Sequence, residues 1–333
     1  MVIASSILTM WCLLLFASPR LAVDFVPLYF AAERVGAGLS PYGTAATEAL
    51  RSFWTAPFAE AGLAYPLPLI LLVVPLILFP YGLAATLWTI SGGIGVVLAA
   101  RLGAKQEQMW LLLLPFVFLP FHRATEYGQA TLVWVGLAVV MLLAIEERQA
   151  WLVGICLALL PLKPQDGLLF AVAGGIWAVR YQRSALLWAG GILLALLSVA
   201  WLLQATWPYD WIEQVQRYRQ IVQPPSLLPW GLVLFALAWR LPWWAKVALL
   251  QVVLFPLSDL YSALPLLLVW VSIGGGISLI GAGISWLWAL FGLPNSVAIF
   301  WVMILVPLGG ALLWHSWIAP YRKRQTPDHR VVQ

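Results

Sequence analysis

A single aspartate stands where an apolar stretch first turns polar. In "VDFVPLYFAAERVGAGLSPYG", residues 23–43, Asp24 comes directly after the first apolar segment, with Glu33 and Arg34 shortly behind it. A carboxylate there can act as a general base if a hydroxyl comes within hydrogen-bond reach. It can equally cap the N-terminus of a helix, where Asp is favoured and complements the dipole. Three more polar islands interrupt apolar runs. "LPFHRATEYGQ" (119–129) brings His122, Arg123, Glu126, Tyr127 and Gln129 together. Its arginine can grip a phosphate through two parallel bonds, or pair within a polar hairpin, while Tyr127 and Gln129 can bond sugar hydroxyls. "LLPLKPQDGLL" (159–169) holds Lys163 between apolar runs. A mid-membrane cation costs about 2.5–3.5 kcal/mol on insertion scales. Lys163 must therefore reach the interface, pair with Asp166, or meet a lipid phosphate. "SDLYS" (258–262) adds Asp259 and Tyr261.

Other chemistries lack their residues. His122, His315 and His329 are isolated, with no HExxH or Cys/His ligand spacing, and no DxD pair exists to hold a metal-bound sugar nucleotide. There is no GxxxxGK[ST] loop. The glycines of "GGGISLIGAG" (274–283) lie in an apolar run and read as helix packing or a break. Cys12 and Cys156 sit inside apolar runs as packing residues. The net charge of +5 is scattered, which gives no case for a nucleic-acid partner, and no cofactor or metal is expected.

The elements that must position these islands are membrane helices. Of 333 residues, 63% are apolar and only 9% charged. Apolar segments recur near 2–19, 66–80, 82–100, 109–121, 129–145, 151–162, 167–179, 185–204, 227–239, 245–257, 263–275, 277–291 and 296–318. Strict alternation is absent, so a spanning chain of this kind must be helical. The 21 tryptophans suit interfacial anchors. The first segment lacks a basic flank and reads as a retained helix. Two longer polar stretches, 20–65 and 205–226, carry apolar stripes at helical spacing: Leu50, Phe53, Trp54, Pro57 and Phe58, then Trp207, Trp211, Val215, Tyr218 and Val222. These predict amphipathic helices on the membrane surface, the second with Asp210 as N-cap and Glu213 closing a capping box.

Charge sets the orientation. If 66–80, broken by prolines 66, 68, 75 and 80, only re-enters the membrane, about twelve crossings remain. The breaks at 101–108, 146–149, 180–183, 240–246 and the basic tail 319–333 then share the cytoplasmic side, with 11 of the 18 Lys and Arg. Asp24, Asp166, Asp210 and Asp259 gather on the outer side. Residues 1–333 read as one integral membrane domain of the all-α polytopic class, with no internal repeat or linker.

The islands also carry a resemblance. "DFVPLYFAAERVGAGLSPYG" resembles the first outer loop of glycosyltransferase family 87, the polyprenyl-phosphate-mannose-dependent mannosyltransferases and their relatives. There an Asp-Phe pair precedes an aromatic-Ala-Ala stretch, then Gly and Pro-Tyr. "AYPLPLILLVVPL" is similar to the family's Tyr-Pro-Pro segment, here Tyr65-Pro66-Leu67-Pro68, "EYGQATLVW" to its Gly-Gln break and "GICLALLPLKPQ" to its Lys-Pro segment. "FPLSDLYSALPLL" is similar to its later Pro-Ser-x-x-Tyr element. The five matches fall in order across about residues 20–270. The resemblance implies the GT-C membrane fold in the plasma membrane. It also implies inverting transfer of a sugar, mannose by the family's habit, from a polyprenyl-phosphate donor to a lipid or glycan hydroxyl at the outer face, without an obligatory metal. Asp24 matches the family's base. Arg123 and Lys163 are then the expected donor-phosphate ligands, and Tyr65, Tyr127, Gln129, Asp259 and Tyr261 the expected sugar and acceptor contacts. Two other classes stay open: a lipid or glycan flippase, for which paired repeats and an ionisable path are missing, and a non-catalytic subunit of an envelope-assembly complex.

Overall fold

The computed structural model describes residues 22–51, 62–103, 109–222, 224–293 and 296–318. Every regular element among them is helical. The segment 2–19, Phe53 to Phe58, and the basic tail lie outside the described residues.

Among the described residues three helices are long and apolar enough to cross a membrane: Tyr81–Gly103, Ser184–Leu203 and Val297–Ile318. Shorter apolar helices, among them Ala130–Glu146, Ala150–Leu162 and Trp243–Leu254, fall on the expected segments. Ser184–Leu203 shows why water cannot be the solvent. It is apolar on all sides, and Leu187, Leu194 and Leu202 stand 78%, 67% and 85% exposed. A helix apolar all round is stable only in a core or in lipid, and this one has no core around most of it. The expected re-entrant segment is broken into Leu67–Leu71 and the 3₁₀ turn Val74–Leu78. Twelve residues of helix reach only about 18 Å, short of an apolar slab of about 30 Å.

Helix Tyr81–Val97 packs along Ala130–Glu146. Glycines make that contact possible, because a Cβ on Gly95 would lie 2.6 Å from the Gly136 Cα. Without a hydrophobic force between helices in lipid, such backbone approach is what holds them. The pair fixes the turn at 127–129, from which the site is built.

Two local readings are refined. Of the alternatives for His122 to Glu126, the paired arginine is found but not the hairpin: the residues belong to helix Leu119–Glu126, started by Pro120 in its first turn. Asp210 does not cap its helix either, because the helix runs from Trp207 to Val222 and begins before it. Its carboxylate instead accepts from the Thr206 hydroxyl at 2.8 Å and the Gln204 amide at 2.6 Å, one turn back. The Thr206 carbonyl already accepts the Tyr209 and Asp210 amides, so the helix begins earlier than the "DWIE" pattern suggests.

Candidate active site

Asp24 lies just ahead of helix Val26–Gly36, whose cap position is Phe25, with no side-chain cap bond. The capping alternative therefore falls. Its neighbours show how the carboxylate is held. Phe25 is fully buried and stacks on Trp88 at 5.4 Å and on Tyr81 at 6.1 Å. The Tyr81 hydroxyl donates to the Ala22 carbonyl at 2.7 Å. The Ala22 and Asp24 amides donate to the carbonyls of Glu126 and Tyr127 at 2.8 and 3.0 Å. The segment is thus bonded along the 126–127 turn, and that turn needs Gly128. Its φ is +61°, a region costly for other residues, and a Cβ there would sit 2.7 Å from that of Ala22. Just past this glycine, the Gln129 amide donates to Asp24 Oδ2 at 2.8 Å.

Asp24 faces a cavity of about 720 Å³. The cavity wall also includes Tyr65, Tyr127, Gln129, Lys163, Asp259 and Tyr261. Seven of the eight expected site residues, drawn from five separated stretches, therefore meet in one place. Arg123 does not line it. Its guanidinium pairs with Glu126 at 2.9 Å, one helical turn on, and lies over the Tyr127 ring.

Lys163 is in the wall, 4% exposed, but already partnered. Its ammonium donates to the Thr131 hydroxyl at 2.6 Å and forms an ion pair with Asp166. The Thr131 hydroxyl in turn donates a hydrogen bond to Asp166 Oδ2 at 2.9 Å. Asp166 sits in the first turn of helix Pro164–Tyr181, where the dipole favours its charge. Gln251 ties that turn down, donating to the carbonyls of Pro164 and Gln165 at 2.9 and 2.8 Å. Asp259 accepts from the Leu260 amide at 2.5 Å in a capping box closed by Ser262, which fixes the 3₁₀ turn carrying Tyr261.

Helix Trp207–Val222 closes one side. Trp211, Val215, Tyr218 and Arg219 line the cavity, and the Trp211 indole donates to the Ala64 carbonyl at 3.0 Å. The Tyr42 hydroxyl holds the adjoining Tyr65 carbonyl at 2.8 Å. The apolar stripe read from the sequence is this helix's inner face, so the stripe was the signal for Trp211 and Tyr218. Thr131 gave no such signal.

Burial pushes the Asp24 carboxyl up to about 6, and the nearby Asp259 charge adds to this, while the Gln129 bond and Lys163 act the other way. Burial also pushes the phenols of Tyr65, Tyr218 and Tyr261 above their ordinary range. A carboxylate poised near 6 is mostly ionised at neutral pH yet a far better base than a solvated one. With every group ionised, three carboxylates (Asp24, Asp166, Asp259) face two cations (Lys163, Arg219) in the wall. The described residues contain no cluster of three or more His, Cys, Asp or Glu able to hold a metal ion.

The sequence model of glycosyltransferase family 87 matches residues 63–330. It covers the Tyr65, Gln129, Lys163 and Asp259 segments and continues through the C-terminal helices, whereas the Asp24 segment lies ahead of it. No curated protein and no solved structure matches the chain.

Proposed function

The chain belongs to glycosyltransferase family 87, and on that premise we propose that it is an inverting membrane transferase using a polyprenyl-phosphate sugar as donor. The observation that carries this is the convergence of Asp24, Gln129, Asp259 and four tyrosines on one cavity in an otherwise apolar helical body. Asp24 takes the proton from an acceptor hydroxyl as that oxygen bonds to the anomeric carbon. The bond from that carbon to the phosphate oxygen breaks on the opposite face, and polyprenyl phosphate leaves with the electron pair. Preorganised cations stabilise the charge that grows there. Among the described residues Arg219 is the lining cation with no ion pair or hydrogen bond, so we place the phosphate toward it. Lys163, paired with Asp166, holds the wall. Tyr65, Tyr127, Gln129, Asp259 and Tyr261 border the sugar and acceptor.

A wall with one negative charge in excess suits a singly charged phosphodiester better than a diphosphate. Mannose as the sugar and a lipid or glycan hydroxyl as the acceptor follow the family's habit. The body is read as one GT-C-like domain in the plasma membrane, 1–333, with about twelve crossings, 66–80 re-entrant and the cavity opening outward. The amphipathic stretches 20–65 and 205–226 shape the entrance for the lipid tail.

Purified protein in nanodiscs, given labelled polyprenyl-phosphate mannose and a membrane lipid extract, should release polyprenyl phosphate and label a glycolipid or glycan. Transfer only from nucleotide sugars would overturn the donor assignment. Cysteines at 44, 126 and 210 should label from outside intact cells, and those at 105 and 182 only after the membrane is opened. The reverse pattern would invert the orientation.

A further inference from the structure

We propose that Gln129 is a positioning residue: its side-chain amide holds the Asp24 carboxylate ionised and aimed into the cavity. This rests on the reading of Asp24 as the base, and it assigns Gln129 a role beyond contact with the sugar.

The argument starts from how little freedom Gln129 has. Its backbone amide donates to the Ala124 carbonyl at 2.9 Å, and its carbonyl accepts from Leu132 at 3.0 Å as helix Ala130–Glu146 begins. The preceding Gly128 carbonyl accepts from the Trp88 indole at 3.1 Å. The residue is 6% exposed, so its side chain cannot swing away into water. Within this enclosure the two ends of the amide differ. Nε2 donates to Asp24, whereas Oε1 is buried and accepts no hydrogen bond among the described residues. A buried amide oxygen without a donor is costly, and nothing at that end holds the group in place. The side-chain hydrogen bond that orients the amide is the one to Asp24. Turning the amide over would bring its oxygen against the carboxylate, which only a protonated Asp24 could satisfy. The amide's orientation and the ionisation of Asp24 are therefore coupled.

Other groups face Asp24 from the packed elements and bear on its charge. Asp259 raises its proton affinity from the 258–262 segment, and Lys163 lowers it from the start of helix Pro164–Tyr181. Tyr127, on the turn beside it, and Tyr65, Tyr81, Tyr218 and Tyr261 also feel its charge. None of these donates a side-chain hydrogen bond to its carboxylate; that contribution comes from Gln129. A neutral amide lowers a carboxyl's proton affinity without forming an ion pair. It favours the ionised base and leaves it able to accept a proton.

A hydrophobic carbodiimide tests this without depending on turnover. The protonated carboxyl adds across the reagent to an O-acylisourea, which rearranges to a stable N-acylurea that keeps every atom. Peptide mass spectrometry then reads the adduct at Asp24, with Asp24→Asn as the blank. In the unaltered protein, labelling at residue 24 should fall as pH rises through about 6. In Gln129→Leu the midpoint should rise by about one pH unit, a tenfold gain in proton affinity, as loss of a bond to a charged group implies. Gln129→Met, which keeps the chain length and lacks the donor, should raise it in the same way and decides the matter if the leucine variant does not fold. An unmoved or lowered midpoint in the folded variant overturns the proposal. A raised midpoint in a protein that transfers no sugar would keep the positioning role and remove the transferase reading. Where transfer is measurable, the acidic limb of its pH profile should move by the same amount as the labelling midpoint.

Discussion

Two aspartates line the same cavity and are held in opposite ways. Asp166 has an ammonium and a hydroxyl against it, and is 2% exposed. Asp24 has a neutral amide. An ion pair brings a charge out of water by cancelling it, and the result is a fixed, closed unit. An amide leaves most of the desolvation uncompensated, and the group answers with a raised proton affinity. On the proposed mechanism, the difference separates wall from reagent. Residue type alone could not, since both are Asp in polar breaks between apolar runs. It also bears on the role proposed for Lys163, whose charge is already met within the wall.

Asp24→Asn breaks the comparison most sharply on the reagent side. It keeps shape and removes the base, so transfer should fall at least about a hundredfold while the protein still reaches the membrane. Retention of more than about a tenth of the rate would remove Asp24 from the chemistry. The same variant should gain stability at neutral pH. A carboxyl that holds its proton up to about 6, against 3.8 in the unfolded chain, favours the fold fully below about pH 4 and loses that contribution as pH passes 6. Asparagine carries no charge to desolvate, so thermal unfolding at pH 7.5 should move upward. The gain is at most about 3 kcal/mol and should vanish below pH 4. A base kept at the cost of stability gives this pattern; a structural aspartate gives its opposite.

Asp166→Ala should show that opposite. It strands the Lys163 ammonium in the wall, at a cost of about 3–5 kcal/mol, a large part of a typical stability. Folded yield should drop steeply, and Lys163→Met with Asp166→Leu should restore it. If the restored protein transfers sugar within about tenfold of the unaltered rate, the pair is structural. A loss as deep as that of Asp24→Asn would return the leaving-group role to Lys163.

The fold was legible where composition speaks directly. A chain with 9% charge and no strict alternation reads as helical and in lipid, and within the described residues the apolar runs fall on helices. The lining of the candidate site was legible where a polar residue stood out against such runs, as Asp24, Gln129 and Lys163 do. What stayed hidden depended on side-chain direction. Arg123 and Glu126 read as a polar loop, but in a helix they stand one turn apart and satisfy each other. Thr131 looks like any helical threonine until Lys163 and Asp166 close around it. The sequence offers Arg217 and Arg219 of the 207–222 helix as the next cations, but not which of them lines the cavity; Arg219 does.

The smallest effect concerns those two arginines. Both lie near the site, yet they differ in what they have left to give. Arg123 already donates to Glu126 and the Tyr127 hydroxyl and is absent from the cavity lining. Arg219 lines the cavity and is exposed, with no ion pair among the described residues. A charge-assisted bond to a phosphate in such a half-open place is weakened by water and salt. Arg219→Ala should therefore raise the donor KM about tenfold, with the loss shrinking as ionic strength rises. Because charge grows on the phosphate as it departs, kcat should fall as well, and Arg219→Lys should recover part of the loss but not the planar two-point grip. Arg123→Ala should change transfer by less than about threefold, the size expected for a partly exposed pair within one helix. If Arg123→Ala proves the more damaging for donor binding, the phosphate lies against helix Leu119–Glu126. The wall of helix Trp207–Val222 would then face the acceptor.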